Sequence, residues 1–117
     1  MKTVTIAAAL FIAAAGPAFA ATPNCDGPRD WPALMALSHL KDAGIASYER
    51  LDFSKTRVLR LASEQKGTRL HRQLHLVAFA DKSGQIIHVI TSNDASEELC
   101  SEGAVDVFLI SRQWHGK

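Results

Sequence analysis

Residues 57 to 92 have the sequence RVLRLASEQKGTRLHRQLHLVAFADKSGQIIHVITS. Three runs in this stretch are rich in the branched and aromatic residues that favour β-strands. These runs are Arg57 to Glu64, Arg69 to Ala80 and Gln85 to Ser92. The gaps between them are short, and each ends at a glycine, Gly67 or Gly84, where a three-residue hairpin loop needs a left-handed backbone. The stretch therefore predicts a three-stranded antiparallel meander.

The two loops also predict how the strands pair. The second loop places Val77 opposite Val89, and the first loop places Arg60 opposite Arg72. Because like charges directly across a strand pair are destabilising, we expect an acidic group or a ligand beside the two arginines. The candidate acids are Glu64 and those of the segment from Asp94 to Glu102.

With this pairing, both faces of the predicted sheet are largely apolar. One face collects Val58, Leu70, Leu74, Leu76, Ile86 and Ile90, and the other collects Leu59, Leu61, Val77, Phe79, Ile87 and Val89. A single helix covers only one face of a small sheet. The second face must then be covered by residues 93 to 103, by residues 45 to 55 or by another molecule.

The flanking residues predict the rest of an α+β fold. Asp30 to Ala43 carries apolar residues at helical spacing and is followed by Gly44, which predicts an N-terminal helix packed on the sheet. The segment from Asp94 to Glu97 is similar to a capping box and predicts a short helix that ends at Gly103. Apolar and polar residues alternate sufficiently from Val105 to Arg112 to predict a last strand. We therefore expect one helix on an antiparallel sheet of about four strands, a meander plus a last strand after a short helix.

The amino end has the pattern of a signal peptide. Lys2 precedes an uncharged apolar run from Val4 to Ala15, and small residues at the end of the stretch, up to Ala20, suit a signal peptidase. The run is too short for a membrane span of roughly 20 residues. We therefore expect cleavage after Ala20, which removes residues 1-20. Residues 21-117 would then be a single small globular domain in the periplasm or secreted from the cell.

The cysteines agree with export. The only two, Cys25 and Cys100, both follow the predicted cleavage site. An even number of cysteines in an oxidising compartment indicates a structural disulfide. In the chain-entropy model, closing a loop of about 75 residues stabilises the fold by roughly 4 kcal/mol.

The charge balance argues against some classes of partner. The chain has 13 Lys and Arg against 12 Asp and Glu, and loss of Lys2 leaves 12 against 12. Nucleic acids and anionic membranes select a positive excess, so neither is expected as a partner. An acidic cluster could instead dock into the cationic cleft of an enzyme. The candidate partner-binding residues are Asp94, Glu97, Glu98 and Glu102, with Arg60 and Arg72 from the basic middle of the chain.

Three histidines are the remaining candidates for chemistry. His71 and His75 could act as general acid and base on a phosphodiester, as in a small secreted hydrolase or nuclease. Four positions apart on a strand, at about 3.3 Å per residue, they are roughly 13 Å apart, and His88 falls on the opposite face. No metal site and no cofactor are therefore expected. The sequence also lacks a nucleophile elbow, a Walker loop and a zincin motif.

In size, export and single disulfide, the chain resembles the small periplasmic inhibitor and immunity proteins that bacteria keep against cell-wall-degrading enzymes or toxins. The resemblance implies a non-enzymatic protein-binding domain that blocks a partner, and it assigns no residue. The alternatives are the hydrolase or nuclease that uses His71 and His75, and a ligand-binding module of the cell envelope. A homodimer is compatible with any of them, because two apolar sheet faces are predicted and only one helix covers them.

Overall fold

A computed structural model describes residues 21 to 113 of the chain. These residues form one α-helix, a single 3-10 turn and one four-stranded sheet. The elements are α1 (Trp31–Asp42), the 3-10 turn (Phe53–Lys55), β1 (Arg57–Lys66), β2 (Leu70–Ala80), β3 (Ile86–Ala95) and β4 (Asp106–Gln113). The strands lie side by side in chain order, and every neighbouring pair is antiparallel. The α+β class with four antiparallel strands is therefore confirmed, whereas the predicted signal peptide lies outside the described residues.

The helix begins inside the chain, at Trp31, so its predicted placement at the amino terminus is not supported. Its predicted range of Asp30 to Ala43 is nevertheless correct to within one residue at each end. Asp30 is the N-cap residue, but its carboxylate accepts a hydrogen bond from the Gly27 N–H at 2.8 Å rather than from the helix. Pro32 suits the first turn of the helix, because a backbone N–H at that position would have no partner within the helix.

The second hairpin has the predicted register. Val77 faces Val89, and the Asp81 N–H donates to the Gln85 carbonyl at 2.8 Å. Gly84 has a φ of 100°, which is the left-handed backbone that the loop requires.

The first hairpin has a different register from the predicted one. β1 continues to Lys66, which faces Leu70, and Gly67 with a φ of 71° is the first loop residue instead of the last. Arg72 therefore faces Glu64, and the predicted opposition of Arg60 and Arg72 is wrong.

Bulges in the two outer strands also change the pairing. Leu61 in β1 and Ile110 in β4 are extra residues without a counterpart on the neighbouring strand. The bulge at Leu61 exchanges the predicted faces of residues 57 to 60, whereas the shift of the hairpin, by an even number of residues, leaves the faces of the rest of β1 as predicted. Val58 lies beside Val77, and Leu59 lies beside Leu76. A shift of one residue turns a side chain to the other face of a sheet.

The predicted short helix between Asn93 and Gly103 is wrong. β3 extends to Ala95, and residues 96 to 105 are irregular. The polar groups that resemble a helix cap close a turn instead: the Ser96 hydroxyl accepts from the Leu99 N–H at 3.1 Å, and the Ser96 N–H donates to the Leu99 carbonyl at 2.8 Å. Ser residues stabilise such turns as readily as helix starts.

One face of the sheet carries the apolar core under α1. The buried residues of this core are Val77, Phe79, Ile87 and Val89 on the strands and Ala33, Ala36, Leu37 and Leu40 on the helix. Their side chains alternate along β2 and β3 with residues of the other face. The core therefore occupies one end of one face only.

The other end of the same face is polar but equally buried. Its residues are His71, Gln73, His75, Thr91 and Asn93. Residues 21 to 26, which we call the lead segment, supply hydrogen-bond partners for two of these residues, Gln73 and His75. Gln73 Nε2 donates to the Pro23 carbonyl at 2.9 Å, and the Cys25–Cys100 disulfide joins the lead segment to the loop after β3. The predicted disulfide is thus present.

Candidate functional site

The two candidate catalytic histidines are enclosed. His71 is 4% exposed and His75 is fully buried. His75 Nε2 lies 2.9 Å from Asp26 Oδ1, and the second oxygen of Asp26 lies 3.7 Å from Arg60 Nη1. This arrangement fixes the lead segment on the sheet and leaves neither imidazole accessible to a polymeric substrate. Within residues 21 to 113, no group of three or more His, Cys, Asp or Glu side chains is arranged to hold a metal ion.

The opposite face of the sheet carries an apolar row that crosses all four strands. The strand pairing aligns Leu59, Leu76, Ile90 and Phe108, one from each strand. Leu59 and Phe108 are 59% and 54% exposed, and the two central residues are half-buried by their neighbours in the sheet. We call these four residues together with Leu74 the open face. In the described part of the chain, α1 and the lead segment both lie on the other side of the sheet.

A cavity of about 160 Å³ lies at one end of the open face. The strands supply its floor, and the loop at residues 102 to 104 forms one of its walls. Its polar lining comes from Arg72, Ser92, Asp94, Glu102 and Asp106. The cavity thus joins an apolar surface to a charged one.

Ion pairs fill the charged end of the open face. Arg72 Nε donates to Asp94 Oδ1 at 2.6 Å, and Lys66 Nζ donates to Asp94 Oδ2 at 3.3 Å. Glu102 accepts a hydrogen bond from the Ser96 hydroxyl at 2.7 Å and one from Arg69 Nη1 at 3.1 Å. The acidic group that the sequence predicts near Arg72 is therefore Asp94, together with Glu64 across the strand pair.

These contacts favour the charged forms of both acids. The hydrogen bond from Arg72 is the largest cause that holds the pKa of Asp94 below its ordinary value, and Lys66 adds to it. The hydrogen bond from Ser96, followed by that from Arg69, lowers the pKa of Glu102. Both carboxylates therefore stabilise the fold when they are ionised.

We expect a dependence of stability on pH from this cluster. A carboxylate whose pKa is lower in the folded than in the unfolded chain stabilises the fold above its unfolded pKa, and this contribution is lost as the pH falls through the folded pKa. The free energy of unfolding should therefore decrease below roughly pH 4. In urea titrations from neutral to acidic pH, Asp94→Asn should show a weaker dependence than the unmodified chain. Glu98→Gln, which removes the same charge from an exposed position, is the control, and equal slopes for all three proteins would contradict the prediction.

The structure brings together only part of the predicted partner-binding set. Arg72, Asp94 and Glu102 line the cavity. Glu97 and Glu98 are both exposed in the loop after β3, and Glu97 accepts a hydrogen bond from the Ala21 N–H. Arg60 lies on the helix side of the sheet, where Nη1 donates to the Pro23 carbonyl at 3.0 Å.

Sequence reasoning missed two contributors to this surface. The sequence predicts Phe108 in the last strand without assigning it to a face, and it predicts Leu59 on the face of Val77. The alternation of β4 was a weak signal for Phe108, because the bulge at Ile110 changes the phase within the strand. Leu74, Leu76 and Ile90 were correctly predicted to share one face.

No helix within residues 21 to 113 is long and apolar enough to cross a membrane. Searches of protein-family models, curated proteins and solved structures find no match to this chain.

Proposed function

We propose that the chain is an exported, non-catalytic protein-binding domain of the inhibitor or immunity type, and that its partner binds on the open face. The partner would be a protein with an apolar and weakly charged binding surface, such as an exported toxin or a cell-wall-active enzyme. The observation that carries the proposal is the row of Leu59, Leu76, Ile90 and Phe108, which within residues 21 to 113 lies on the side of the sheet opposite α1 and the lead segment.

The size of the whole sheet face that carries the open face and the charged cavity supports this use. Four strands about 4.8 Å apart and about ten residues long span roughly 600 Å². This estimate is close to the roughly 800 Å² that each partner contributes to a standard protein interface.

The charges around the open face support an apolar partner. Lys66 and Arg72 share the carboxylate of Asp94, and Arg69 pairs with Glu102. Because these cations already have acidic neighbours, they offer little attraction to the phosphates of a nucleic acid or an anionic lipid. A partner would gain most from covering the apolar row, with the charged cavity at the rim of the interface.

Export is part of the same proposal. The signal-peptide pattern of residues 1 to 20 and a disulfide between the only two cysteines are both typical of a protein that works outside the cytoplasm. The periplasm is the compartment that fits an inhibitor of cell-wall enzymes or an immunity protein. The burial of His71 and His75 gives the hydrolase alternative no accessible catalytic pair.

The test uses the protein processed by cells. The full chain is expressed, purified from the periplasmic fraction and mixed with four probes that act on the cell wall: a muramidase, a lytic transglycosylase, an amidase and an endopeptidase. Size-exclusion chromatography with light scattering measures the complexes. We expect a 1:1 complex with one probe.

A matched pair of double variants locates the interface. Leu59→Gln with Phe108→Gln removes the two exposed ends of the open face and should weaken the complex at least tenfold, because large apolar anchors dominate interface energies. Leu34→Gln with Tyr48→Gln removes exposed apolar side chains elsewhere and should leave binding unchanged. A self-dimer abolished by the first variant would instead assign the face to a second copy of the chain. Absence of a complex with all four probes would overturn the inhibitor proposal.

A further inference from the structure

Two contacts tie the lead segment to the loop after β3 at nearly the same separation in sequence. The Cys25–Cys100 disulfide joins residues 75 apart. Four residues earlier, the Ala21 nitrogen donates to Glu97 Oε2 at 2.6 Å, across 76 residues. The lead segment is thus fixed at both ends, covalently at one and by a single carboxylate at the other.

Ala21 is also the first residue after the predicted cleavage site. Before cleavage its nitrogen belongs to a peptide bond and has one N–H to donate. After cleavage it becomes an α-ammonium group at neutral pH, with a positive charge and three donors. A hydrogen bond between an ammonium and a carboxylate is stronger than one between an amide and a carboxylate, because both partners are charged.

We propose that Glu97 is the binding site for the α-ammonium group that cleavage after Ala20 exposes. The newly formed amino terminus then closes the lead segment over the polar end of the sheet, beside the disulfide. The proposal rests on the proposed export and cleavage, and it does not depend on the open face or on any partner.

The charged groups around the lead segment are consistent with this assignment. Arg60 contacts the Pro23 carbonyl, and Asp26 bridges Arg60 and His75 at the other end of the segment. Glu98 is adjacent to Glu97 and is likewise exposed. In the described residues, Glu97 is the acid whose carboxylate contacts the Ala21 nitrogen. Glu97 is then an internal partner of the chain and is removed from the predicted docking surface.

The reactivity of the amino terminus tests the proposal. The protein purified from the periplasm is labelled with a succinimidyl ester near neutral pH, and the modified fraction of the α-amino group is measured by peptide mass spectrometry. An exposed ion pair should slow labelling about two- to fivefold, because the ester reacts only with the uncharged amine. Glu97→Gln should remove this protection, and the neighbouring change Glu98→Gln should not.

Stability gives a second measurement with a defined sign. An ion pair raises the pKa of an amine, so its contribution is present at neutral pH and is lost as the pH rises through that pKa, above roughly pH 8. The unfolding midpoints of the unmodified chain and Glu97→Gln should therefore converge at alkaline pH. Equal labelling rates for both Glu variants and the unmodified chain would overturn the proposal, as would a natural protein that begins at another residue. Neither result would change the outcome of the partner-binding assay.

Discussion

Replacing both Cys25 and Cys100 by alanine is expected to lower the free energy of unfolding by about 4 kcal/mol. The disulfide closes a loop between residues 75 apart, and in the chain-entropy model a longer loop gives a larger loss of freedom in the unfolded state. Alanine is the appropriate replacement because Cys25 is only 2% exposed and a serine hydroxyl there would be buried. For a domain whose total stability is about 5 to 15 kcal/mol, this is a large share.

The loss should also release the lead segment. Without the bridge, the Pro23 carbonyl and the Asp26 carboxylate must hold Gln73, Arg60 and His75 through hydrogen bonds and ion pairs alone. Urea unfolding followed by circular dichroism measures the effect, and the reduced unmodified chain is the control, which should match the double variant. A difference of less than about 1 kcal/mol between the oxidised chain and the variant would show that the bridge is not a main source of stability.

Aspartate at two adjacent positions of β3 should distinguish the two faces of the sheet. Val89 is fully buried against Val77 in the core, so Val89→Asp places a carboxylate where it has no partner. A buried and unpaired charge costs several kcal/mol, which is enough to unfold a small domain. Thermal unfolding and the dispersion of amide NMR signals should both show a loss of the native fold.

Ile90→Asp is the matched change on the open face. Ile90 is half-buried, and the carboxylate of an aspartate at this position can reach water. We therefore expect the free energy of unfolding to fall by about 1 kcal/mol and the NMR spectrum to remain native. Binding of the partner should be lost. If Ile90→Asp unfolds the chain as completely as Val89→Asp, the open face is buried within the protein and the proposed docking site is wrong.

The sequence was sufficient to predict one hairpin and not the other. In the loop before Gln85, glycine stands at the last position, as the predicted turn requires, and the register follows. In the first hairpin, Gly67 is the first residue of the loop. A glycine can adopt a left-handed backbone at the first or at the last position of such a loop, so the glycine alone does not fix the register. The bulge at Leu61 depends on pairing across strands, which local patterning does not fix.

The candidate site was predicted only in part, for reasons that are also physical. An acid beside Arg72 was predicted from an opposition of Arg60 and Arg72 that the structure does not contain. Asp94 contacts Arg72 because the pairing of β2 with β3 places the two residues opposite each other. The pairing of Asp26 with His75 could not be predicted, because the lead segment has no regular structure and its path is fixed by a disulfide to a distant loop. The Ser96 turn has the same polar pattern as a helix cap, so the sequence did not separate the two.

The bulges at Leu61 and Ile110 have a consequence for assembly. Each one interrupts the even spacing of donors and acceptors near the middle of an outer strand. A foreign strand that approached either margin of the sheet would find only a short regular stretch with which to pair, and lateral growth into fibrils is disfavoured in this way in many β-proteins. The molecule can therefore expose apolar side chains on one face of its sheet while its outer strands resist pairing with the strands of other molecules.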